Sequence, residues 1–257
     1  MTGPTAPVPT VLRLIAEPVR WRLMQELARG DRRVRELTDA VGQPQNLVSY
    51  HLRQLRAGGL VSARRSNFDG RDTYYRLDLD GCAGALSASV SALHPGLGSH
   101  LSAPETAVAP RSGPTRVLFV CTGNSGRSPM AEALLRHRAG ASVDTVSAGV
   151  TPKPLHPDAV AVMLDQHGID ISGHQPTRVE AVASKSFDFV ITLCDKAREH
   201  CPVFPRQPGL VHWSMPDPAA AEGDLAGYAA FVRTAADLDT RIRYFLPVLR
   251  QGWQTAS

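Results

Sequence analysis

The stretch RVLFVCTGNSGRSPMAE, from Arg116 to Glu132, constrains this chain more than any other. Val117 to Val120 reads as a buried strand, Cys121 closes it, a loop bearing Gly123 and Gly126 follows, and a helix begins near Ser128. Such a strand–loop–helix turn aims several backbone N–H groups at one spot and adds the positive end of a helix dipole. That spot suits a tetrahedral oxyanion. Thr122, Gly123, Asn124, Ser125, Gly126 and Arg127 are the expected oxyanion-binding residues, with the planar Arg127 fork able to hold two oxygens. The same field favours the thiolate form of Cys121, the nucleophilic one. A cysteine at the mouth of an anion cradle points to attack on phosphorus or arsenic. A core cysteine ending a buried strand is the alternative, and the spacing Cys-x5-Arg-Ser argues against it.

The flanking pattern sets the fold class. Around Arg116–Val120 the expected elements are a helix over Ser128–Arg138, a strand over Val143–Val146, a helix over Pro157–His167, a buried strand over Phe187–Leu193 (FDFVITL), a short strand over Val211–Trp213, and helix from Asp224 to Leu249, ending at Pro247. Strands alternating with helices predict an α/β domain built on a parallel sheet, its active loops at the carboxyl ends of the strands. FDFVITL runs straight into Cys194, and Cys201 follows in LCDKAREHCP. Both thiols are expected on the same side of the sheet as Cys121. The Cys-x6-Cys spacing is wider than the usual zinc pair, and no metal site is expected.

The N-terminal third is different in kind. Residues 1–92 carry thirteen arginines and no lysine against nine acidic residues, so the whole formal excess of +4 lies there. That bias hints at a polyanionic partner. Apolar spacing predicts helix from Val11 to Ala28, broken at Glu17 and restarted by Pro18, then a short helix over Val34–Val41, a turn at Gly42-Gln43-Pro44, and a helix over Gln45–Ala57. Two short helices joined by a tight turn make a helix-turn-helix, whose second helix enters the DNA major groove. Gln45, Asn46, Ser49, Tyr50, His51 and Arg53 are its candidate DNA-binding residues. LVSARRS and RDTYYRLDL, with Asp69-Gly70 between them, predict a β-hairpin whose Arg64, Arg65 and Arg71 reach phosphates. Residues 93–114, rich in Pro, Gly, Ser and Ala, read as a linker. No apolar run is long enough to span a membrane, and the N-terminus lacks the pattern of a signal peptide, so a cytoplasmic protein is expected.

EPVRWRLMQELARG, RVRELTDAVGQPQNLVSYHLRQLRAGGLVSARR and DGRDTYYRL resemble the ArsR-type winged-helix repressors over residues 9–92. The resemblance implies double-stranded DNA as partner and a homodimer formed through this domain. One departure stands out. Many arsenic-sensing members carry a cysteine pair in the helix before the recognition helix, where this chain has VRELTDAV, and Cys82 alone cannot build a three-thiolate site.

VCTGNSGRSPMAE, SAGV, TLCDKAREHCP and HWSMPDPAAAEG resemble the low-molecular-weight phosphatase-fold arsenate reductases across residues 115–250. The resemblance implies three thiols acting in sequence. Cys121 attacks arsenate held by the loop and Arg127; Ser128 stabilises its thiolate; Asp217 protonates the leaving oxygen; Cys194 attacks Cys121 and releases arsenite; Cys201 takes over the disulfide, and a thioredoxin-like partner reduces it. If the span from Cys194 to Cys201 were helical, its rise of roughly 10 Å would exceed the about 7 Å that a disulfide tolerates, so a redox-driven rearrangement is expected. Asn124, Glu132 and Ser147 match positions that help bind a potassium ion in some relatives; no tightly bound cofactor is expected. Gly126 stands where some relatives have a further loop cysteine. Ala219 and Ala220 follow the Asp-Pro pair where tyrosine phosphatases carry aromatic residues. Three readings stay open: a reductase fused to a repressor, a regulator that uses the same thiols as a sensor, and a tyrosine phosphatase.

Overall fold

The computed structural model describes residues 8–94, 113–206, 208–221 and 226–251. They fall into two compact units, one N-terminal and one C-terminal.

The N-terminal unit has helices α1 (Thr10–Ile15), α2 (Pro18–Ala28), α3 (Val34–Val41), α4 (Gln45–Ala57) and α5 (Leu79–Leu93), and strands β1 (Arg32–Arg33), β2 (Val61–Arg65) and β3 (Thr73–Leu77). Glu17 caps α2 by accepting from the Arg20 N–H at 2.8 Å, which fixes the break before Pro18. Gly42 ends α3 in the left-handed region at φ 67°, the conformation glycine adopts without strain. Strands β2 and β3 pair antiparallel, Ala63 opposite Tyr75, as the alternating residues predict. The two-residue β1 adds to the far side of β3; its charged Arg32-Arg33 sequence gives no strand pattern. Helix α5 was not expected either: it is rich in Gly, Ala and Ser, and Asp78 starts it by accepting from the Gly81 N–H at 2.8 Å. Leu23, Leu27, Leu37, Val48, Leu52, Leu55 and Leu60 make the core. Residues 95–112 of the expected linker lie outside the described residues.

The C-terminal unit is a four-stranded, all-parallel sheet in the order β5-β4-β6-β7, with β4 Thr115–Cys121, β5 Val143–Gly149, β6 Phe189–Thr192 and β7 Gly209–His212. Its principal helices are α6 (Arg127–Ala139), α7 (Pro157–His167), the short α8 (Asp195–Glu199) and α9 (Gly227–Gln251). The apolar run Val117–Val120 is fully buried because β4 is central. Helix α9 buries Phe231, Ala235, Leu238, Ile242, Phe245 and Leu249, the alternating four- and three-residue step of one helix face. It runs through Pro247, where the sequence predicts its end. Phe245 and Leu249 pack on either side of the proline, and the Leu249 carbonyl accepts from Thr115 Oγ1 at 3.4 Å, so tertiary contacts hold the last turn. Asp224, the expected start of this helix, lies outside the described residues.

Candidate active site

Cys121 ends the central strand, opposite Gly149 of β5. The loop after it is held from behind by the segment that follows β5. The Val150, Thr151, Lys153 and His156 N–H groups donate to the carbonyls of Cys121, Thr122, Gly123 and Ser125 at 3.1, 2.8, 2.9 and 2.8 Å. With those carbonyls occupied, loop N–H groups are free to turn inward, and the Asn124 N–H donates to Cys121 Sγ at 3.2 Å. Gly149 permits this clamp: a Cβ there would lie 2.7 Å from the Asn124 nitrogen. Asn124 itself sits at φ 47°, rare for a residue with a side chain.

Asn124 is fully buried and its side chain explains the cost. Nδ2 donates to Ser128 Oγ at 3.0 Å and Ser147 Oγ at 2.8 Å, while Oδ1 accepts from the Thr177 N–H at 2.8 Å and lies 3.2 Å from His174 Nε2. Ser128 Oγ, in the first turn of helix α6, lies 3.0 Å from Cys121 Sγ and 3.4 Å from the Ala148 carbonyl. Since it accepts from Asn124, its hydroxyl proton is directed to the sulfur or the carbonyl. The Asn124 N–H, the Ser128 hydroxyl and the α6 N-terminus thus surround the Cys121 sulfur, where a negative charge formed on it would be stabilised.

Arg127 is buried at the start of α6. Nη1 donates to the Met215 carbonyl at 3.2 Å and Nη2 lies 3.1 Å from Asp217 Oδ2. Asp217 is half-exposed and also accepts from the Ala219 N–H at 3.2 Å. These contacts bring the predicted acid to the predicted anion-binding fork. Burial beside Arg127 is also tight at Gly126, where an added Cβ would come within 3.1 Å of the Phe231 ring.

The second thiol comes from the neighbouring strand. β6 pairs with β4 from Val117–Phe189 to Val120–Thr192, and the Leu193 N–H donates to the Val120 carbonyl at 2.7 Å, which carries Cys194 to the cradle. Its Sγ lies 3.2 Å from Thr122 Oγ1 and accepts from the Ala197 N–H at 3.4 Å, making Cys194 the N-cap of α8. Burial holds the Cys194 thiol above its ordinary pKa, with Arg127 pulling the other way. Cys201 is half-buried, and burial pushes its thiol up to about 11. Helix α8 stops at Glu199, so the span from Cys194 to Cys201 is not helical throughout. All four cysteines are free thiols.

Residues 116–254 match the family of low molecular weight phosphotyrosine protein phosphatases. The chain belongs to that family. Relatives similar to this chain include an arsenate reductase of Halalkalibacterium halodurans, 38% identical over 130 residues that make up 50% of this chain and 93% of that protein. An arsenate reductase of Bacillus licheniformis is 38% identical over the same shares, and one of Bacillus subtilis is 35% identical. Residues 17–63 match the arsR family of bacterial regulatory proteins.

In this phosphatase-family site the structure brings Cys121, Asn124, Arg127, Ser128 and Asp217 together, with Cys194 reaching in through Thr122. Thr122, expected to bind oxyanion, directs its hydroxyl to the second thiol. Ser125 is half-buried at the loop's outer edge, its carbonyl taken by His156. The residues matched to a potassium site do not fit the ion. Asn124 presents its donor nitrogen to Ser147, its oxygen being spent on Thr177 and His174, and Arg136 forms an ion pair with Glu132. His174, held below its ordinary pKa chiefly by burial, lies 4.0 Å from the other Glu132 oxygen. Sequence reasoning missed His174, Thr177 and the Met215 carbonyl, which act through single hydrogen bonds and leave no spacing signature.

On α4 of the N-terminal unit, Gln45, Asn46, Tyr50 and Arg53 are exposed and Ser49 is half-buried. Arg65 and Arg71 are exposed, and Arg64 is half-buried and donates to the Arg65 carbonyl at 2.9 Å. His51 is the exception. It is buried, with Nδ1 3.4 Å from Glu17 Oε2. One step before Leu52 in the helix, its position lies on the core side, so its reading as a DNA-facing residue is corrected.

Among the described residues no helix is long and apolar enough to cross a membrane.

Proposed function

We propose that the chain is an arsenate reductase joined to a DNA-binding regulatory domain. The observation that carries this reading is a second thiol, Cys194, hydrogen-bonded to the first residue of the loop behind Cys121. Ester hydrolysis has no use for it; a reduction does. The arsenate reductases among the relatives support the same reading.

The chemistry follows from the cradle. Cys121 thiolate attacks arsenic, a sulfur–arsenic bond forms, and a hydroxyl leaves as water with a proton from Asp217. Arg127 and the loop N–H groups hold the remaining oxygens. Cys194 thiolate then attacks Cys121 sulfur. The sulfur–arsenic bond breaks, its electron pair stays on arsenic as arsenite, and a Cys121–Cys194 disulfide remains. Cys201 attacks Cys194, freeing Cys121, and a thioredoxin-like dithiol reduces the Cys194–Cys201 disulfide. The N-terminal domain binds double-stranded DNA through α4 and the β2–β3 arginines as a homodimer.

Arsenate-dependent NADPH oxidation with thioredoxin and thioredoxin reductase tests the reading. Steady turnover abolished by Cys121→Ser, Cys194→Ser and Cys201→Ser is expected. Hydrolysis of a phenyl phosphate with no arsenate turnover, using any dithiol reductant, would replace it with a phosphatase.

A further inference from the structure

Asp195 follows the second thiol directly in the chain, and it is only 3% exposed. Its Oδ1 accepts from Ser214 Oγ at 2.6 Å and lies 3.2 Å from His212 Nε2, whose Nδ1 is 2.8 Å from Thr192 Oγ1. All four side chains are buried. The Trp213 N–H donates to the Thr192 carbonyl at 2.9 Å, extending the β6–β7 pairing and delivering Ser214 to Asp195. The network thus ties the start of α8 to the strand end that leads on to Met215 and Asp217. No step of the proposed chemistry uses it. A carboxylate is costly to bury and is retained where its donors fix a geometry.

We propose that Asp195 is a positioning residue for the thiol relay. Its anchor on Ser214 and His212 keeps Cys194 folded against Thr122 for attack on Cys121, and releases when Cys194 turns to Cys201. In that exchange Cys201 thiolate bonds to Cys194, the Cys121–Cys194 bond breaks, and its electron pair leaves on Cys121. Oxidation level is unchanged and no co-reactant is needed; only the position of the Cys194 segment must change. The role in turnover rests on the reductase reading, but the anchor is testable without arsenate.

The test is timed iodoacetamide labelling of the fully reduced, full-length protein, mapped by peptide mass. Ser214→Ala removes a hydrogen bond to the carboxylate of only 2.6 Å, and Cys194 is expected to label about tenfold faster, the scale of one charge-assisted hydrogen bond. Ser214→Thr keeps a hydroxyl and returns labelling toward the wild-type rate. Equal Cys194 labelling in wild type and Ser214→Ala overturns the anchor. Should Ser214→Ala unfold, Asp195→Asn carries the same comparison with the same two outcomes. With arsenate and excess reductant, Ser214→Ala lowers kcat several-fold at unchanged KM, since the cradle is intact; a change confined to KM overturns the assignment to the relay. A wild type that labels as expected yet never turns over arsenate removes the reductase reading and leaves the anchor in place.

Discussion

Ser128 Oγ lies 3.0 Å from Cys121 Sγ while accepting from Asn124 Nδ2 at 3.0 Å. The asparagine thereby turns the serine proton away from itself, toward the sulfur or the Ala148 carbonyl. Ser128→Ala deletes one donor to the thiolate, and a hydrogen bond to a charged group is worth about 1.5–3 kcal/mol. The expected result is a fall of roughly tenfold to a hundredfold in kcat/KM for arsenate, measured by initial rates at fixed reductant. A change smaller than twofold would show that the hydroxyl is spent on Ala148.

Cys201→Ser should allow one round and no more. With excess arsenate the variant releases close to one arsenite per chain and then stalls with a Cys121–Cys194 disulfide, seen by arsenite quantification and peptide mapping. Continued turnover would mean that the reductant reaches Cys194 directly.

The raised Cys201 thiol sets a pH dependence. Thiolate is the reactive form, and with its pKa at about 11 the thiolate fraction climbs about tenfold per pH unit across the neutral and mildly alkaline range. Cys201 labelling by iodoacetamide should rise with that slope from pH 7 to about pH 10. The folded chain also holds this proton, and that of Cys82, likewise at about 11, longer than an unfolded chain does. Stability therefore falls as pH rises from the ordinary thiol pKa, about 9, to about 11. Thermal melts over that range check the sign.

Gly149→Ala should disable the site without dissolving the sheet. The new Cβ would meet the Asn124 nitrogen at 2.7 Å, so the anion loop must shift. Arsenate turnover is expected to drop by more than tenfold, with the far-UV circular dichroism preserved. Retained activity would mean that the loop tolerates displacement from its clamp.

In the N-terminal domain, neighbouring residues of α4 should separate by phenotype. Arg53→Ala weakens DNA binding and reduces the salt slope by about one, as for a lost phosphate contact. His51→Ala lowers thermal stability by about 1–3 kcal/mol, as for a truncated buried side chain, at an unchanged salt slope.

Much of this architecture was legible in the residues. Periodicity placed α3, α4 and α7 because their apolar positions recur on one face, and the unbroken apolar run Val117–Val120 read as a buried strand. The cradle was legible because Cys-x5-Arg-Ser is compressed into one turn. What stayed hidden depends on distant partners. Helix α9 passes Pro247 because Thr115 and the core hold its end. The His51 ring turns inward toward Glu17, a residue on the other side of a helix break. Asn124 is braced by Thr177 and His174, fifty residues along the chain, through a backbone N–H and one ring nitrogen.

Cys194 is both reagent and punctuation. Its sulfur accepts the Ala197 N–H and so begins α8, a helix of five residues. A single turn has almost no stability of its own in water. Drawing that sulfur into a bond erases the mark at which the helix starts, so the chemistry of one atom is written at once into the shape of the segment that carries it to Cys201.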